Sequence, residues 1–335
     1  MEEQPKTVKN KEDTLQEKLI VSTSPHILIN ESVPSIMHSV ILALMPAVVM
    51  GVYFFGWWRA LPLLVSTVIA CMATEYVCQK MRQVPVTIKD GSAIITGILL
   101  ALTLPPGFPL WAAFIGGIIA ISLGKQAFGG LGYNIFNPAL VGRAFLQAAF
   151  PVLITTFDEP ITKGIVQLEA VSAATPLGLA KFDGEFAPFL DLLFGNTAGS
   201  LGETSAVAIL IGAIYLWHKG HINLRLPMSY LTGIFLFSGI FWLLDPSRYA
   251  SPVFQVLAGG AMLGAFFMVT DMVTSPVTPK GQWIFGIGGG ILAVLIRLFG
   301  GLNEGVMYSI LLMNAIVPLL NRYTRPKIFG EVGRE

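Results

Sequence analysis

The chain has 335 residues, 54% of them apolar and 12% charged, whereas a soluble domain carries roughly 25% charged residues. That shortage of charge excludes an ordinary soluble domain. A net charge of +1 excludes a nucleic-acid surface as the main theme. The 35 glycines suit close helix packing in lipid, where small residues let backbones approach.

Residues 1–34 read as a cytoplasmic N-terminal tail ending at Pro34, since Met1 to Lys18 is hydrophilic and lacks the apolar region of a signal peptide. Apolar segments follow at about 36–56, 58–79, 92–104, 109–124 and 138–157, then at about 203–217, 226–244, 253–275, 282–299 and 305–321. A crossing helix needs about 20 residues, so ten spans are expected with several of them short. This divides the chain into a first five-helix unit (35–157), an extracytoplasmic loop (158–200), a second five-helix unit (201–321) and a cytoplasmic C-terminal tail (322–335).

Cys71 and Cys78 lie in one apolar run, and their spacing is not a zinc or iron–sulfur ligand set, so they read as packing residues. Lys and Arg bias sets orientation. Lys80, Arg82, Lys89, Lys125, Lys219, Arg225, Lys280, Arg322 and both basic tails fall on one side, against Arg59, Lys163, Lys181 and Arg248 on the other. Both termini are therefore expected inside and the 158–200 loop outside.

The two halves look related. A shift of 171 residues lays Phe128-Gly129-Gly130-Leu131 on Phe299-Gly300-Gly301-Leu302 and pairs Thr103 with Thr274, Pro105 with Pro276 and Gly117 with Gly288. Two units of five spans each must be inverted relative to one another. Such repeats place their site near the midplane, where interrupted helices meet; here those are Ser92–Leu104 and the segment ending Thr274-Ser275-Pro276. The expected fold is an all-α polytopic membrane protein of about ten transmembrane helices in two inverted five-helix repeats, as in urea and ammonium channels.

Ionisable residues within spans are functional candidates because a charge in the bilayer is costly. Asp271, in Val269-Thr270-Asp271-Met272-Val273-Thr274, is a candidate for an ion pathway or a flavin contact, or else a helix-end carboxylate facing water. Glu75, near Gln79 and Lys80, reads as an interfacial ion pair. Arg143 could reach an anion or a ring system, or snorkel to the interface. In Gly130-Leu131-Gly132-Tyr133-Asn134-Ile135-Phe136-Asn137-Pro138, the amides of Asn134 and Asn137 could hydrogen-bond a planar ring and the aromatics could stack on it; a helix cap is the plainer alternative. The four histidines lack the partners of a metal site, and Gly286-x-Gly288-Gly289-Gly290 follows no strand, so it reads as helix packing.

Three motifs carry a family resemblance: Phe128-Gly129-Gly130-Leu131-Gly132-Tyr133-Asn134-Ile135-Phe136-Asn137-Pro138-Ala139, Ser172-Ala173-Ala174-Thr175-Pro176-Leu177 and Thr270-Asp271-Met272-Val273-Thr274-Ser275-Pro276. With them the chain, from about residue 25 to 325, resembles the RnfD proteins of the Rnf complexes and, more distantly, the NqrB proteins of the sodium-pumping NADH:quinone oxidoreductases. The resemblance implies FMN joined by a phosphoester to the Thr of a motif written roughly Asp-x-x-Ser-Gly-Ala-Thr. Carried over, the anchor is Thr175, with Ser172 and Ala174 beside it, while Glu169 stands at the Asp position and Ala173 at the Gly position. It further implies a non-covalent riboflavin, for which the loop from Asn134 to Asn137 is the candidate, and an electron relay coupled to Na⁺ or H⁺ movement, in which Asp271 is the residue read above as a candidate for the ion pathway and Arg143 as a candidate flavin contact. The implied partners are membrane lipid, the other Rnf complex subunits (A, B, C, E and G) and a flavin transferase; nucleic acid is not among them. The implied place is the bacterial inner membrane. A passive urea- or ammonium-type channel without a redox cofactor is the competing reading, and it leaves the long outer loop unexplained.

Overall fold

Apolar runs punctuated by Pro and Gly fold here into helices of very unequal length. The computed structural model describes residues 31–161, 172–203, 205–302 and 304–326. Among them are α1 (Val33–Phe55), α2 (Trp57–Met81), α3 (Ser92–Leu102), α4 (Leu110–Ser122), α5 (Pro138–Ala149) and α6 (Pro151–Thr155). A two-stranded antiparallel pair follows, β1 (Phe157–Asp158) with β2 (Ser172–Ala173), then α7 (Pro176–Phe182) and α8 (Phe189–Phe194). The second half holds α9 (Ala206–His218), α10 (Arg225–Leu244), α11 (Pro252–Leu257), α12 (Ala261–Leu263), a π-helical turn (Gly264–Met268), α13 (Pro279–Phe299) and α14 (Val306–Tyr323).

Six of these described helices, counting α4 as continuing to Phe128, are long and apolar enough to cross a membrane, so the fold is that of a helical, multi-pass membrane protein. The expected spans at 138–157 and 253–275 are each broken. The first divides at Phe150-Pro151, because Pro151 has no N–H to donate and begins a new turn. The second breaks at Gly259-Gly260, where Gly259 adopts φ +68. α3 has only 11 residues and α9 only 13.

Helix starts share one device. Asn137, Thr175, Ser251 and Thr278 each cap a helix through a side-chain oxygen and are each followed by Pro at the first helical position. The cap satisfies one orphan N–H, and Pro supplies a fixed φ where no donor is needed.

Glycine sets how closely the helices cross. A Cβ on Gly212 would run into the carbonyl oxygen of Ala43, so α1 and α9 touch backbone to backbone. A Cβ on Gly290 would lie 2.5 Å from the carbonyl of Tyr230, which is how α10 and α13 meet. Cys71 packs between α2 and α4, its thiol 3.7 Å from the carbonyl of Gly117. Apolar side chains at Leu42, Val49, Val65, Ile69, Ile211, Ile214, Leu236 and Ile240 face outward, as a lipid-covered surface requires.

The crossing of α1 and α9 gives a direct check. Gly212→Leu should cost at least about 1–3 kcal/mol, the usual range for overpacking a filled site. The thermal unfolding midpoint in detergent should fall, while a Gly301→Ala control, at which an added Cβ meets nothing within 4 Å, should change little.

Candidate functional site

Most of the polar residues singled out above line one of two cavities, one toward each end of α5. From Asn137, which caps α5, to Gln147 in its last turn is ten residues, or about 15 Å at 1.5 Å per residue.

The cavity at the start of α5, of about 130 Å³, is mostly apolar and is lined by Ser92, Lys125, Asn134, Asn137, His221 and Asp271 among others. Asn137 spends its side-chain oxygen on the N–H groups of Ala139 and Leu140, so the plainer helix-cap reading holds for that atom. Asn134 donates to the Phe136 carbonyl at 3.2 Å. Tyr133 points outward and is not part of the lining; Phe267 is the aromatic that contributes.

Asp271 follows the π-helical turn and is partly buried at the cavity wall. It accepts hydrogen bonds from the Val273 N–H and, at 3.0 Å, the Thr274 hydroxyl. Asn314 of α14 joins the two broken elements: its amide donates to the Thr274 carbonyl and accepts from the Asn137 N–H, both at 3.2 Å. The amide orientation follows from those partners.

Glu75 is in an ion pair, and its partner is Lys125 rather than Lys80. It is fully buried and paired at 2.6 Å with Lys125, 50 residues further along the chain, while Lys80 sits over the Tyr76 ring. Lys125 also donates to the Ser92 hydroxyl at the start of α3. Tertiary packing of α2, α3 and the end of α4 decides the partner, so sequence spacing could not reveal it.

The second cavity, of about 100 Å³, is lined by Arg143, Gln147, Thr175, Glu203, Gly259, Gly301 and Glu304 among others. Thr175 is only 9% exposed, and its hydroxyl oxygen accepts the Gly178 N–H at 3.2 Å as the cap of α7. Thr175 is thus a buried cap residue that also contributes to the wall of this cavity. Ala174 is exposed; Ser172 pairs through its backbone with Asp158, whose carboxylate is held by Arg59 at 3.0 Å. Glu169 lies outside the described residues.

Arg143 does not snorkel. It is buried and forms an ion pair with Glu304, whose other oxygen accepts the Gly260 N–H at 2.7 Å, and its Nε is without a partner. Glu304 in turn is hydrogen-bonded to Glu203. Both acids sit in connections between helices. Burial, reinforced by the charge of Glu304, raises Glu203 above the usual carboxylate range. Burial alone would raise Glu304 too, but Arg143 beside it holds it below the usual carboxylate range.

Two cations fasten the rim. Arg297 donates to the carbonyls of Gln255 and Ala258, closing the end of α11, and Lys181 of α7 donates to the carbonyls of Gly300, at 2.6 Å, and Leu302. Sequence reasoning missed Glu203, Glu304, Arg297 and Lys125 as site residues. One signal was available: a buried Arg143 demands an acid, and no acid lies within a helical turn of it.

Helices interrupted inside a multi-pass bundle, with cavities at the breaks that hold a few polar and charged side chains, fit a membrane transport or electron-transport protein rather than a soluble enzyme. The chain belongs to the NQR2, RnfD, RnfE family, whose model matches residues 20–330. It is similar to the D subunit of the proton-translocating ferredoxin:NAD(+) oxidoreductase complex of Clostridium ljungdahlii, 45% identical over 320 residues covering 92% of this chain and 96% of the relative. The D subunit of the Na(+)-translocating ferredoxin:NAD(+) oxidoreductase complex of Acetobacterium woodii is 46% identical over 316 residues, 93% of this chain and 95% of the relative. The D subunit of an ion-translocating oxidoreductase complex from Halorhodospira halophila is 36% identical over 337 residues, 91% and 94%.

Breaking the buried pair from one side should cost far more than removing both charges. Arg143→Met alone should lose about 3–5 kcal/mol, the range for an acid left buried without its partner. Arg143→Met with Glu304→Gln should recover much of that, read as unfolding midpoints in one double-mutant cycle.

Proposed function

We propose that this chain is the D subunit of an Rnf-type complex, relaying electrons between ferredoxin and NAD⁺ through the membrane while the assembly moves Na⁺ or H⁺. On this reading it is one component of a translocase and is not catalytic alone; the A, B, C, E and G subunits are its partners. It lies in the bacterial inner membrane with both termini cytoplasmic. The relatives named above support the role. The Lys and Arg distribution supports the orientation, with Thr175 outside.

The ten-element, inverted-repeat architecture of urea and ammonium channels belongs to the same reading. The shift of 171 carries Leu110–Ser122 onto 281–293, within α13, and Pro138–Ala149 onto 309–320, within α14. It carries short α3 onto 263–273, the interrupted element that bears Asp271.

FMN would be held as a phosphoester on Thr175, after transfer by a flavin transferase. The residues fit such a group: Thr175 and the cationic Arg143 line one cavity, and at Gly301 in its wall an added Cβ would meet nothing within 4 Å. A riboflavin would lie against Asn134 and Asn137, in the cavity that Asp271 shares. Bound flavins supply the redox chemistry. The chain's own part is to position them, exclude water and set the local charge. Asp271, a carboxylate of that cavity, would meet the transported cation there.

The observation that carries this reading is that Thr175 and Arg143 share one cavity, with the Asp271 cavity beyond it along the same helix. The test is flavin fluorescence of the protein on a denaturing gel, with the flavin transferase co-expressed. A fluorescent wild-type band that is absent in Thr175→Ala is expected; a dark wild-type band, with the transferase active on another substrate, would remove the covalent flavin. For the ion path, Asp271→Asn should leave the fluorescent band intact and lower ion uptake per electron in vesicles. Equal uptake by mutant and wild type would sink that assignment.

A further inference from the structure

Lysine and arginine are scarce on the side of the membrane that the charge bias gives to Thr175. The bias assigns four there: Arg59, Lys163, Lys181 and Arg248. Arg59 is matched by Asp158, and Lys163 lies outside the described residues. Lys181, on α7, and Arg248, between α10 and α11, come together instead. Both line one cavity of about 140 Å³, joined there by Arg297 of α13, and no described residue of its lining is acidic. The cavity lies where two spans end. α10 stops at Leu244 and α13 at Phe299, and the Phe241 ring meets Phe299 at 5.5 Å and Tyr249 at 5.6 Å. Phe299 and Tyr249 are both in the cavity wall; Phe299, Leu243 and Leu244 are largely exposed. A cationic chamber thus adjoins an outward apolar surface at the depth of lipid headgroups.

None of the three cations is in an ion pair among the described residues. Lys181 gives N–H groups to the Gly300 and Leu302 carbonyls, which leaves one of its three. Arg297 is spent on neutral oxygens of Gln255 and Ala258 and its Nε is sealed in, so it offers the cavity charge rather than a donor. Arg248 is exposed and lies over the Tyr249 ring at 5.5 Å, with its guanidinium N–H groups free. The acids nearby are engaged elsewhere. Glu304 is paired with Arg143, Glu203 lines the Thr175 cavity, and Asp245 takes the Ser247 N–H and hydroxyl. Asp183 and Glu185, after α7, are exposed and outside the lining. An independent sign comes from Gln255, a lining residue only 5% exposed. Its oxygen accepts from Arg297 at 3.2 Å, which leaves its amide nitrogen without an acceptor, and that nitrogen is not sealed off. A buried donor of this kind is costly until an acceptor meets it.

We propose that this cavity binds the phosphate of an anionic phospholipid from the leaflet on the Thr175 side. Arg248 and Lys181 supply charge and donors, Gln255 supplies an amide donor, and the acyl chains run along Leu244 and Phe299. The apolar wall favours a lipid over a soluble phosphate, because Leu298 and Phe299 offer an anion in water nothing. The lining favours an anionic lipid over a zwitterionic one. A choline or ethanolamine group would bring a further positive charge to a wall that has three cations and no carboxylate. One such lipid bridges α7, the α10–α11 connection and the end of α13. This site needs the chain to be a membrane protein and does not depend on a flavin at Thr175.

The experiment is native mass spectrometry of the full chain, delipidated in detergent and titrated with phosphatidylglycerol, phosphatidylcholine or soluble glycerol phosphate. Wild type should hold one phosphatidylglycerol in preference to the other two. Arg248→Gln should weaken that binding by about fivefold, the order expected for one cation at a headgroup. Arg248 donates no hydrogen bond within the described chain, so the fold should survive, as an unchanged unfolding midpoint without lipid would show. Arg248→Lys should retain most of the affinity, and Lys219→Gln, an exposed cation at the other end of the spans, should match wild type. Equal affinity for phosphatidylcholine would overturn the proposal, as would an Arg248→Gln protein that binds like Lys219→Gln. Glycerol phosphate binding as tightly as the lipid would make the ligand a soluble phosphate and overturn it too.

Discussion

Backbone carbonyls left open where helices break inside the packed bundle are the constraint on which this structure turns. A buried carbonyl without a partner costs several kcal/mol. The end of α3 is closed by another stretch of chain: Leu102 and Leu104 receive the N–H groups of Gly202 and Leu201, at 2.6 and 3.1 Å. The end of α11 is closed by a side chain, Arg297, on the carbonyls of Gln255 and Ala258. Glu203 follows directly on the first closure and Gly259-Gly260 on the second, so the acids and the glycines of the Thr175 cavity sit where they do because the breaks were sealed in this way.

The sealing groups and the cavity groups form one connected set. Gly260 gives its N–H to Glu304, Glu304 takes Arg143, and Arg143 ties the middle of α5 to the loop between α13 and α14. Lys181 holds that same loop from α7, the helix Thr175 caps. Thr175 is therefore linked to both halves of the bundle through two or three contacts. At the opposite end of α5, Asn314 does comparable work, joining the Asn137 cap to Thr274 beside Asp271. Buried ionic and polar groups of this kind add little net stability; here they fix the geometry of two cavities.

Thr175 serves two ends with one oxygen. As the cap of α7 it accepts from Gly178 and fixes the helix start, with Pro176 setting the following φ. The same placement makes Thr175 part of the wall of the cavity that Arg143 and Glu203 line. Short β1 and β2, and the Arg59–Asp158 pair behind them, hold the approach to it. A rigid cap is a suitable anchor for a bulky group because the anchor oxygen loses little further freedom on attachment.

Much of this could be read without a structure. Low charge and long apolar runs pointed to a helical membrane protein, and the motifs around Thr175, Asn137 and Asp271 picked out residues that line the two cavities. Helix caps written as Asn, Ser or Thr before Pro were also legible, because capping is a local interaction. The partners of buried charges were not. Glu75 meets Lys125 and Arg143 meets Glu304 across 50 and 161 residues, and no periodicity links them. Helix continuity was likewise decided in three dimensions: the runs at 138–157 and 253–275 are apolar enough to span, yet they break. A break is tolerable only where another element satisfies the freed carbonyls, and which element does so is a property of the packed bundle rather than of the run itself.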